Sequence, residues 1–325
     1  MNILKKSYPN LVFPLVFFLL IGSAGHVEAQ RKIRTIIVDA GHGGTDDGAH
    51  SEYEGSLNSK EKNVTLAIAL KLVDDLKQAL PDVNIIPTRT TDIYQNPREK
   101  ARIANENHGD LFVCIHADAV ELRTASRIIG HRKETYHTVR YVGKGKKRKK
   151  ILTAHTHVVP IREYYKLPTD RKGTSTLIIA SHKTSEKTEA LQASEMQFNT
   201  DANDSTLNIN YESPEWKASA LLYTSRFFKR SYQLATDVQD EITAIGRDNL
   251  GVWQRQKGIW VLQATQMPAI LIETGFIDNY QDERYLNSDK GQEEIAQCIT
   301  RALIKYKGQV ESPQANLNTS LVSPK

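Results

Sequence analysis

Four side chains with the chemistry of a hydrolytic metal site border predicted strands and helices of this sequence. His42 stands in a glycine-rich turn directly after the first predicted strand, and His116 ends the third. Glu273 follows an apolar run near the end of the chain, and Glu61 lies at the start of the first long predicted helix. In a doubly wound sheet, ligands bind at the edge where the carboxyl ends of the strands emerge, so we expect these side chains to converge there.

Two imidazoles and one carboxylate form a common catalytic zinc set, which leaves a coordination position for water. The remaining carboxylate can then act as the general base that takes a proton from that water. The spacing of the residues does not decide which of Glu61 and Glu273 would bind the metal and which would catalyse.

Each residue also has a structural interpretation. Glu61 follows Asn58 by three residues, as in a helix capping box. Independently of this, His42 could be a plain loop residue and His116 a buried, hydrogen-bonded histidine. Glu273 is hardest to explain in this way, because a charge buried beside an apolar strand is costly. Seven further histidines are weaker candidates: a strand-like pair, a residue that would border the site, and four surface residues (His155 and His157; His182; His50, His108, His131 and His137).

The elements that would position the site alternate between strand and helix patterns. Apolar or β-branched runs predict strands at Ile33–Val38, Val83–Pro87, Leu111–His116, Thr174–Ala180, Gly258–Leu262 and Ala269–Ile272. Amphipathic periodicity predicts helices at Ser59–Leu80, Pro97–Asn107, Trp216–Ile245 and Lys290–Tyr306. This alternation predicts a single α/β domain, with a mostly parallel twisted sheet and helices on both faces.

Composition excludes several classes of protein. With 39% hydrophobic and 25% charged residues in 325, the chain is neither disordered throughout nor fibrous. Two cysteines, Cys114 and Cys298, cannot form a disulfide scaffold, and we interpret them as buried thiols.

The two ends of the chain differ from its middle. Residues 1–29 combine an early Lys5–Lys6 pair, a short apolar run and a small-residue ending at Ala29, which predicts a signal peptide and export. The apolar run is shorter than the roughly 20 residues of a spanning helix, so we expect no membrane span after cleavage. The catalytic domain is predicted over residues 30–306, and the polar tail 307–325 is predicted to be disordered.

Residues 121–172 interrupt the alternation as a basic insertion. Lys144–Lys150 holds six basic residues in seven, which indicates either a solvated loop tip or a contact with an anionic polysaccharide of the cell envelope. Nothing in the sequence resembles a nucleic-acid-binding module.

The sequence resembles the zinc-dependent N-acetylmuramoyl-L-alanine amidases of the cell-separation type. The resemblance runs with interruptions from Ile33 to Tyr306, in the order of that family's motifs. It lies in the segments VDAGHGG (38–44), SKEKN (59–63), TR (88–89), AN (104–105), DLFVCIHADA (110–119) and MPAILIETGFIDN (267–279).

The resemblance implies an enzyme that cleaves the amide between N-acetylmuramic acid and L-alanine in peptidoglycan. It makes His42, Glu61 and His116 the zinc ligands and Glu273 the catalytic carboxylate. Arg89 and Lys100 become candidates for holding peptide carboxylates, although Lys100 stands where the family usually has arginine. Two alternatives stay open: a zinc peptidase that would use the same ligand set on the stem peptide, and a non-catalytic wall-binding protein that would bind through the basic loop. The presence of all four site residues counts against the second.

The resemblance also implies control by a partner. Family members often carry a helix that covers the zinc with a carboxylate until an activator protein displaces it. Residues 181–215 occupy the equivalent place, with a predicted helix at Ser185–Met196 and a polar loop after it. Glu195 or Glu189 would then be the blocking carboxylate. The alternative is a surface helix with solvated acidic residues.

Overall fold

A computed structural model describes residues 32–180, 213–255 and 259–312. The predicted signal peptide, His182, the segment with the predicted regulatory helix and the last thirteen residues therefore lie outside the described residues. Within the described ranges, no helix has both the length and the apolar content needed to cross a membrane.

Six strands form the central sheet: β1 (Thr35–Ala40), β2 (Asn84–Pro87), β3 (Leu111–Asp118), β6 (Thr174–Ile179), β7 (Asn249–Arg255) and β8 (Ala269–Phe276). Their order across the sheet is β2-β1-β3-β8-β6-β7. Neighbouring strands are parallel except at the β6–β8 junction, where the pairing is antiparallel. The predicted mostly parallel α/β fold is confirmed.

Helices cover both faces of this sheet, which is why its strands are apolar on both sides. The helices are α1 (Glu61–Ala79), α2 (Pro97–Glu106), α3 (Pro214–Ala244), α4 (Trp260–Ala264), α5 (Tyr280–Leu286) and α6 (Asp289–Glu311). The larger core cluster joins α1, α3 and α6 to one face through residues such as Ile68, Val238 and Ile299. The smaller cluster joins α2 and α4 to the other face, around Phe112 and Cys114.

One strand prediction near the site was wrong, and one strand was missed. Trp260–Ala264 forms the short helix α4 rather than part of a strand over Gly258–Leu262, whereas Asn249–Arg255, which was not predicted, forms the edge strand β7. Short apolar runs do not distinguish strand from helix by periodicity, and here sheet pairing decided. The last strand also continues past Ile272 to Phe276, so Glu273 lies within β8 rather than after it.

The basic insertion is a long two-stranded antiparallel ribbon. Strands β4 (Thr124–Val142) and β5 (Lys149–Lys166) pair along their whole length, joined by a 3-10 turn at Gly145–Lys147. The alternation of His155 and His157 indicated strand structure locally, but the ribbon as a whole was not predicted.

The last helix is longer than predicted, because α6 ends at Glu311 rather than at Tyr306. The first residues of the predicted disordered tail, from Lys307 to Glu311, are therefore helical, which corrects that boundary. A Lys307–Glu311 ion pair at 2.6 Å lies within this last turn, and Glu311 also accepts a hydrogen bond from the backbone amide of Ile33. The other domain boundaries stay predictions.

Candidate active site

His42 lies in a tight turn that glycines make possible. Its backbone has a φ of 58°, in the left-handed region that a residue with a side chain adopts at a cost, often at functional sites. A side chain at Gly48 would lie 2.6 Å from both the His42 ring and the Glu61 carboxylate. A side chain at Gly41 would lie 2.6 Å from the His116 ring. These two glycines thus leave the space that both imidazoles occupy.

Glu61 lies at the first residue of α1 and connects the two histidines. Its Oε2 lies 3.0 Å from His42 Nε2, and its Oε1 lies 2.8 Å from His116 Nδ1. The capping-box interpretation is wrong, because the N-cap of α1 is Lys60 and makes no side-chain capping bond. The Glu61 carboxylate instead accepts backbone hydrogen bonds from Ala49 and Ala117, which fix it in the site.

The three side chains form a compact donor set of the kind that holds a divalent metal. One ligand atom from each of His42, Glu61 and His116 lies within 4.8 Å of the others. The two imidazole rings meet edge to face, with centroids 4.9 Å apart. Two nitrogen donors and one carboxylate fit a zinc-type ion with a position left for another ligand.

Glu61 and His42 each favour the charged form of the other. Burial alone would raise the pKa of Glu61, but the adjacent His116 and His42 lower it well below its usual value. Burial would lower the pKa of His42, yet Glu61 and Asp46 raise it to about 8. Glu61 is thus ionised at neutral pH, as a metal-binding carboxylate must be.

Glu273 lies beside this set, on the neighbouring strand. In the parallel β3–β8 pair it is directly opposite His116. The side chain is 9% exposed, and among the described residues its Oε2 has no hydrogen-bond partner. Burial raises the pKa of Glu273 to about 7, with His116 opposing the shift and Asp118 adding to it. A buried carboxyl group with a free oxygen and a pKa near neutrality suits proton transfer.

Asp46 is a site residue that the sequence analysis missed. Its Oδ2 lies 2.8 Å from His42 Nδ1, on the side of the ring away from Glu61, and its Oδ1 accepts a hydrogen bond from the Gly48 amide. Carboxylates in this position orient metal-binding imidazoles. The available signal was a carboxylate four residues after a histidine in a glycine turn.

Lys62 stabilises the turn of His42 through the contacts of its Nζ atom. Its Nζ donates to the Gly44 carbonyl at 2.7 Å and lies within 3.0 Å of Asp47 and Asp92. The turn that presents His42 is thus tied to α1 and to the loop after β2.

The structure contradicts the expectation that Arg89 and Lys100 hold peptide carboxylates. Both are buried and bonded to the chain itself. Arg89 donates to the carbonyls of Ala40, Gly41 and Lys62, and Lys100 donates to Ala40. Lys100 also lies 3.0 Å from the buried Asp39. These buried cations support the backbone before His42.

The other histidines of the described ranges are not part of this group. His155 and His157 are exposed on the ribbon, where both rings contact Tyr136. Among the described residues, His42, Glu61 and His116 are the one group of three or more potential ligands close enough to hold a metal ion.

A family model covers the part of the chain that contains this site. The family model described as N-acetylmuramoyl-L-alanine amidase matches residues 36–305, which include all four site residues. The match covers most of the chain.

Relatives with this activity in their names are distant but cover most of the chain. The amidase AmiA of Escherichia coli K12 is 25% identical over 296 residues, which cover 89% of this chain and 82% of AmiA. The amidase AmiC of Escherichia coli O6:H1 is 24% identical over 83% of this chain, but the match covers only 52% of AmiC.

Solved structures share the fold. An N-acetylmuramoyl-L-alanine amidase from Clostridium difficile 630 superposes with a TM-score of 0.51 at 22% identity, covering 85% of this chain and 97% of that one. The amidase AmiC2 of Nostoc punctiforme gives a TM-score of 0.51 at 21% identity, with 84% and 96% covered.

Proposed function

The chain belongs to the N-acetylmuramoyl-L-alanine amidase family, and on this basis we propose that it is a zinc hydrolase of peptidoglycan. It cleaves the amide between N-acetylmuramic acid and L-alanine, during wall remodelling or the separation of daughter cells. The observation that carries the proposal is the meeting of His42, Glu61 and His116 within 4.8 Å, with Glu273 directly opposite His116.

We assign zinc to the donor set of His42, Glu61 and His116. When bound, zinc supplies Lewis acidity, which polarises the scissile carbonyl and makes water a stronger acid. The chain contributes rigidity: Glu61 is held by two backbone amides, and His42 is oriented by Asp46.

Glu273 is the general base in this proposal. Its Oε2 takes a proton from the attacking water and returns that proton to the departing amine of L-alanine. The water oxygen first forms a bond to the carbonyl carbon, and the carbon–nitrogen bond then breaks as the carbonyl double bond re-forms, which leaves the lactyl carboxyl group and the free amine of L-alanine. Burial keeps the carboxyl group away from bulk water, and the absence of a competing donor among the described residues leaves Oε2 available.

Digestion of purified peptidoglycan tests this function. An amidase releases intact stem peptides with a free L-alanine amine and leaves glycan strands with lactyl carboxylates. A peptidase would shorten the stems, and a binding protein would release nothing. Mass spectrometry of the soluble products distinguishes the three outcomes.

The substrate implies that the enzyme acts outside the cytoplasm, and the predicted signal peptide supports export to the periplasm or beyond. Cleavage after Ala29 leaves a mature chain that begins at Gln30. Mass spectrometry of the protein from its native host tests this, and a protein that retains Met1 would contradict it.

We also propose that residues 181–215 regulate the site together with an activator protein. The segment follows β6, whose last residue Ile179 pairs with Arg255 of β7. The guanidinium of Arg255 lies 3.8 Å from Glu273 Oε1, so the strand that precedes the segment pairs with a residue that contacts the proposed base. A tethered carboxylate from this segment would have a high effective concentration at the metal.

A further inference from the structure

The ribbon formed by β4 and β5 carries a charge opposite to that of the rest of the chain. Residues 124–166 contain 12 Lys and Arg and 2 Asp and Glu, for a net charge of +10. The whole chain has 43 basic and 38 acidic residues and a net charge of +5, so the remainder has a net charge of −5. Such a concentration of one sign creates a strong local field.

The cationic residues are concentrated where the ribbon turns. We define the ribbon end as residues 139–152, the last pairs of β4 and β5 with their connecting turn. It contains seven basic and five large apolar residues and two glycines, with no acidic residue. The basic residues are Arg140, Lys144, Lys146, Lys147, Arg148, Lys149 and Lys150, all exposed.

The large apolar residues of the ribbon end are exposed as well. Leu152 is 56% exposed and Val139 49%, and the two are directly paired on one face of the ribbon. Tyr141 is 53% exposed, and the guanidinium of Arg148 lies over its ring. Ile151 and Val142 lie on the other face. Exposed apolar residues beside cations, on both faces, are unusual for a strand pair that only connects two parts of a sheet.

The ribbon is fixed to the catalytic domain at its other end. Arg127 forms an ion pair with Glu54 at 2.7 Å and another with Glu163 at 2.6 Å. The Glu54 amide donates to the Lys166 carbonyl. The ribbon leaves the sheet after β3, the strand of His116, and at ~3.3 Å per residue a strand of this length spans roughly 60 Å.

We propose that the ribbon end binds an anionic phospholipid bilayer. The seven cations attract the phosphate headgroups, and the apolar side chains enter the boundary between headgroups and acyl chains, as at other basic membrane-surface segments. An anionic polysaccharide would account for the charge but not for exposed Leu152, Val139 and Ile151, which gain nothing from a hydrated polymer. The ribbon thereby holds the amidase domain at a membrane surface while its site reaches the wall.

Sedimentation with lipid vesicles tests this binding. The full mature chain is mixed with vesicles of phosphatidylcholine alone, or of phosphatidylcholine with one third phosphatidylglycerol, at low and high salt. We expect binding to the anionic vesicles that salt weakens, and little binding to the neutral ones. Equal binding to both, or binding to neither, would overturn the proposal.

Two variants separate the contributions of charge and apolar contact. Lys146→Gln/Lys147→Gln/Lys149→Gln is expected to weaken binding on the order of 10-fold or more. Val139→Thr/Leu152→Thr keeps the charge and the strand propensity and is expected to lose the binding that remains at high salt. The matched control Lys77→Gln/Lys229→Gln/Lys290→Gln removes three exposed charges from helices and is expected to bind as the parent does.

Competition with inorganic polyphosphate distinguishes lipid from polymer. Tight binding to polyphosphate with none to vesicles, or an apolar variant that binds vesicles like the parent, would show that the ribbon end recognises a polyanion instead. Hydrolysis of soluble peptidoglycan fragments reports on folding, and we expect it to be unchanged in all three variants. The outcome of the vesicle-binding test does not depend on which bond the enzyme cleaves.

Discussion

His116 and Glu273 are directly opposite each other in the parallel β3–β8 pair. Side chains alternate across a sheet, so both lie on the face that also carries Cys114 and Leu271. A proposed metal ligand and the proposed base are thus fixed side by side by backbone hydrogen bonds rather than by loops. This register has direct consequences for the roles of the two residues.

Loss of an imidazole should remove the metal and the activity together. We expect His42→Ala or His116→Ala to contain little zinc per chain and to hydrolyse no peptidoglycan, because two remaining ligands hold zinc weakly. His137→Ala, which changes an exposed histidine of the ribbon, is the matched control. Metal analysis and turnover are measured on the same preparations, and a metal-loaded His116→Ala enzyme would contradict the assignment.

Glu273→Gln should separate binding from catalysis. The amide has nearly the shape of the carboxyl group but cannot accept the proton, so we expect a normal zinc content and a rate about 10²- to 10⁴-fold lower. Glu106→Gln, at the exposed end of α2, serves as control. A near-normal rate would mean that another group is the base.

Asp46→Ala should weaken metal binding without removing a ligand. We expect about 10- to 100-fold lower zinc affinity, since the His42 ring loses the carboxylate that orients it. At saturating zinc the rate should largely recover, which a role in proton transfer would not allow. Competition with a fluorescent chelator measures the affinity, and Asp82→Ala, in the exposed turn after α1, is the control.

The buried Asp39–Lys100 pair should give the fold a pH-dependent stability. Burial alone would raise the pKa of Asp39, but Lys100 and the hydrogen bonds from Cys114 and Thr88 lower it below the ordinary value. The contribution of Asp39 is therefore complete above pH ~4, the unfolded-state pKa, and is lost as the pH falls through the folded-state pKa.

In Lys100→Met the burial of Asp39 is opposed only by the hydrogen bonds from Cys114 and Thr88, so its pKa rises. We expect a loss of about 3–5 kcal/mol at neutral pH that shrinks as the solution is acidified and Asp39 becomes protonated. Urea unfolding at several pH values measures this, with Asp39→Asn/Lys100→Met as the compensated control. A loss independent of pH would show that packing rather than charge is responsible.

Removal of the proposed regulatory segment should activate the enzyme. Replacement of Ser185–Asn210 by a short Gly/Ser bridge, or Glu189→Ala/Glu195→Ala, is expected to raise wall hydrolysis in the absence of any partner. A folded, zinc-loaded variant with unchanged or lower activity would show that the segment has another role.

Much of this protein follows from its sequence because the signals are local. Apolar runs and helical periodicity predicted the sheet and its covering helices, and the glycine turn at His42 indicated a residue presented to a ligand. Local patterns could not assign Trp260–Ala264, a short apolar segment that satisfies either a strand or a helix. They also left the two roles of Glu61 open, because a capping box and a metal ligand require the same residue at the same position.

Tertiary structure decided the questions that depend on distant pairing. The β3–β8 register brings Glu273 to His116, and the start of α1 at Glu61, with Lys60 as its N-cap, excludes the capping role of Glu61. Arg89 and Lys100 were candidate substrate contacts, but both are buried and support the turn of His42 instead. The ribbon was not predictable from local patterns, because it forms when two strands pair across a turn. Neither strand has a buried face that would produce an alternating sequence pattern. The sequence determined which chemistry is available, and the packing determined which side chains can reach one another to perform it.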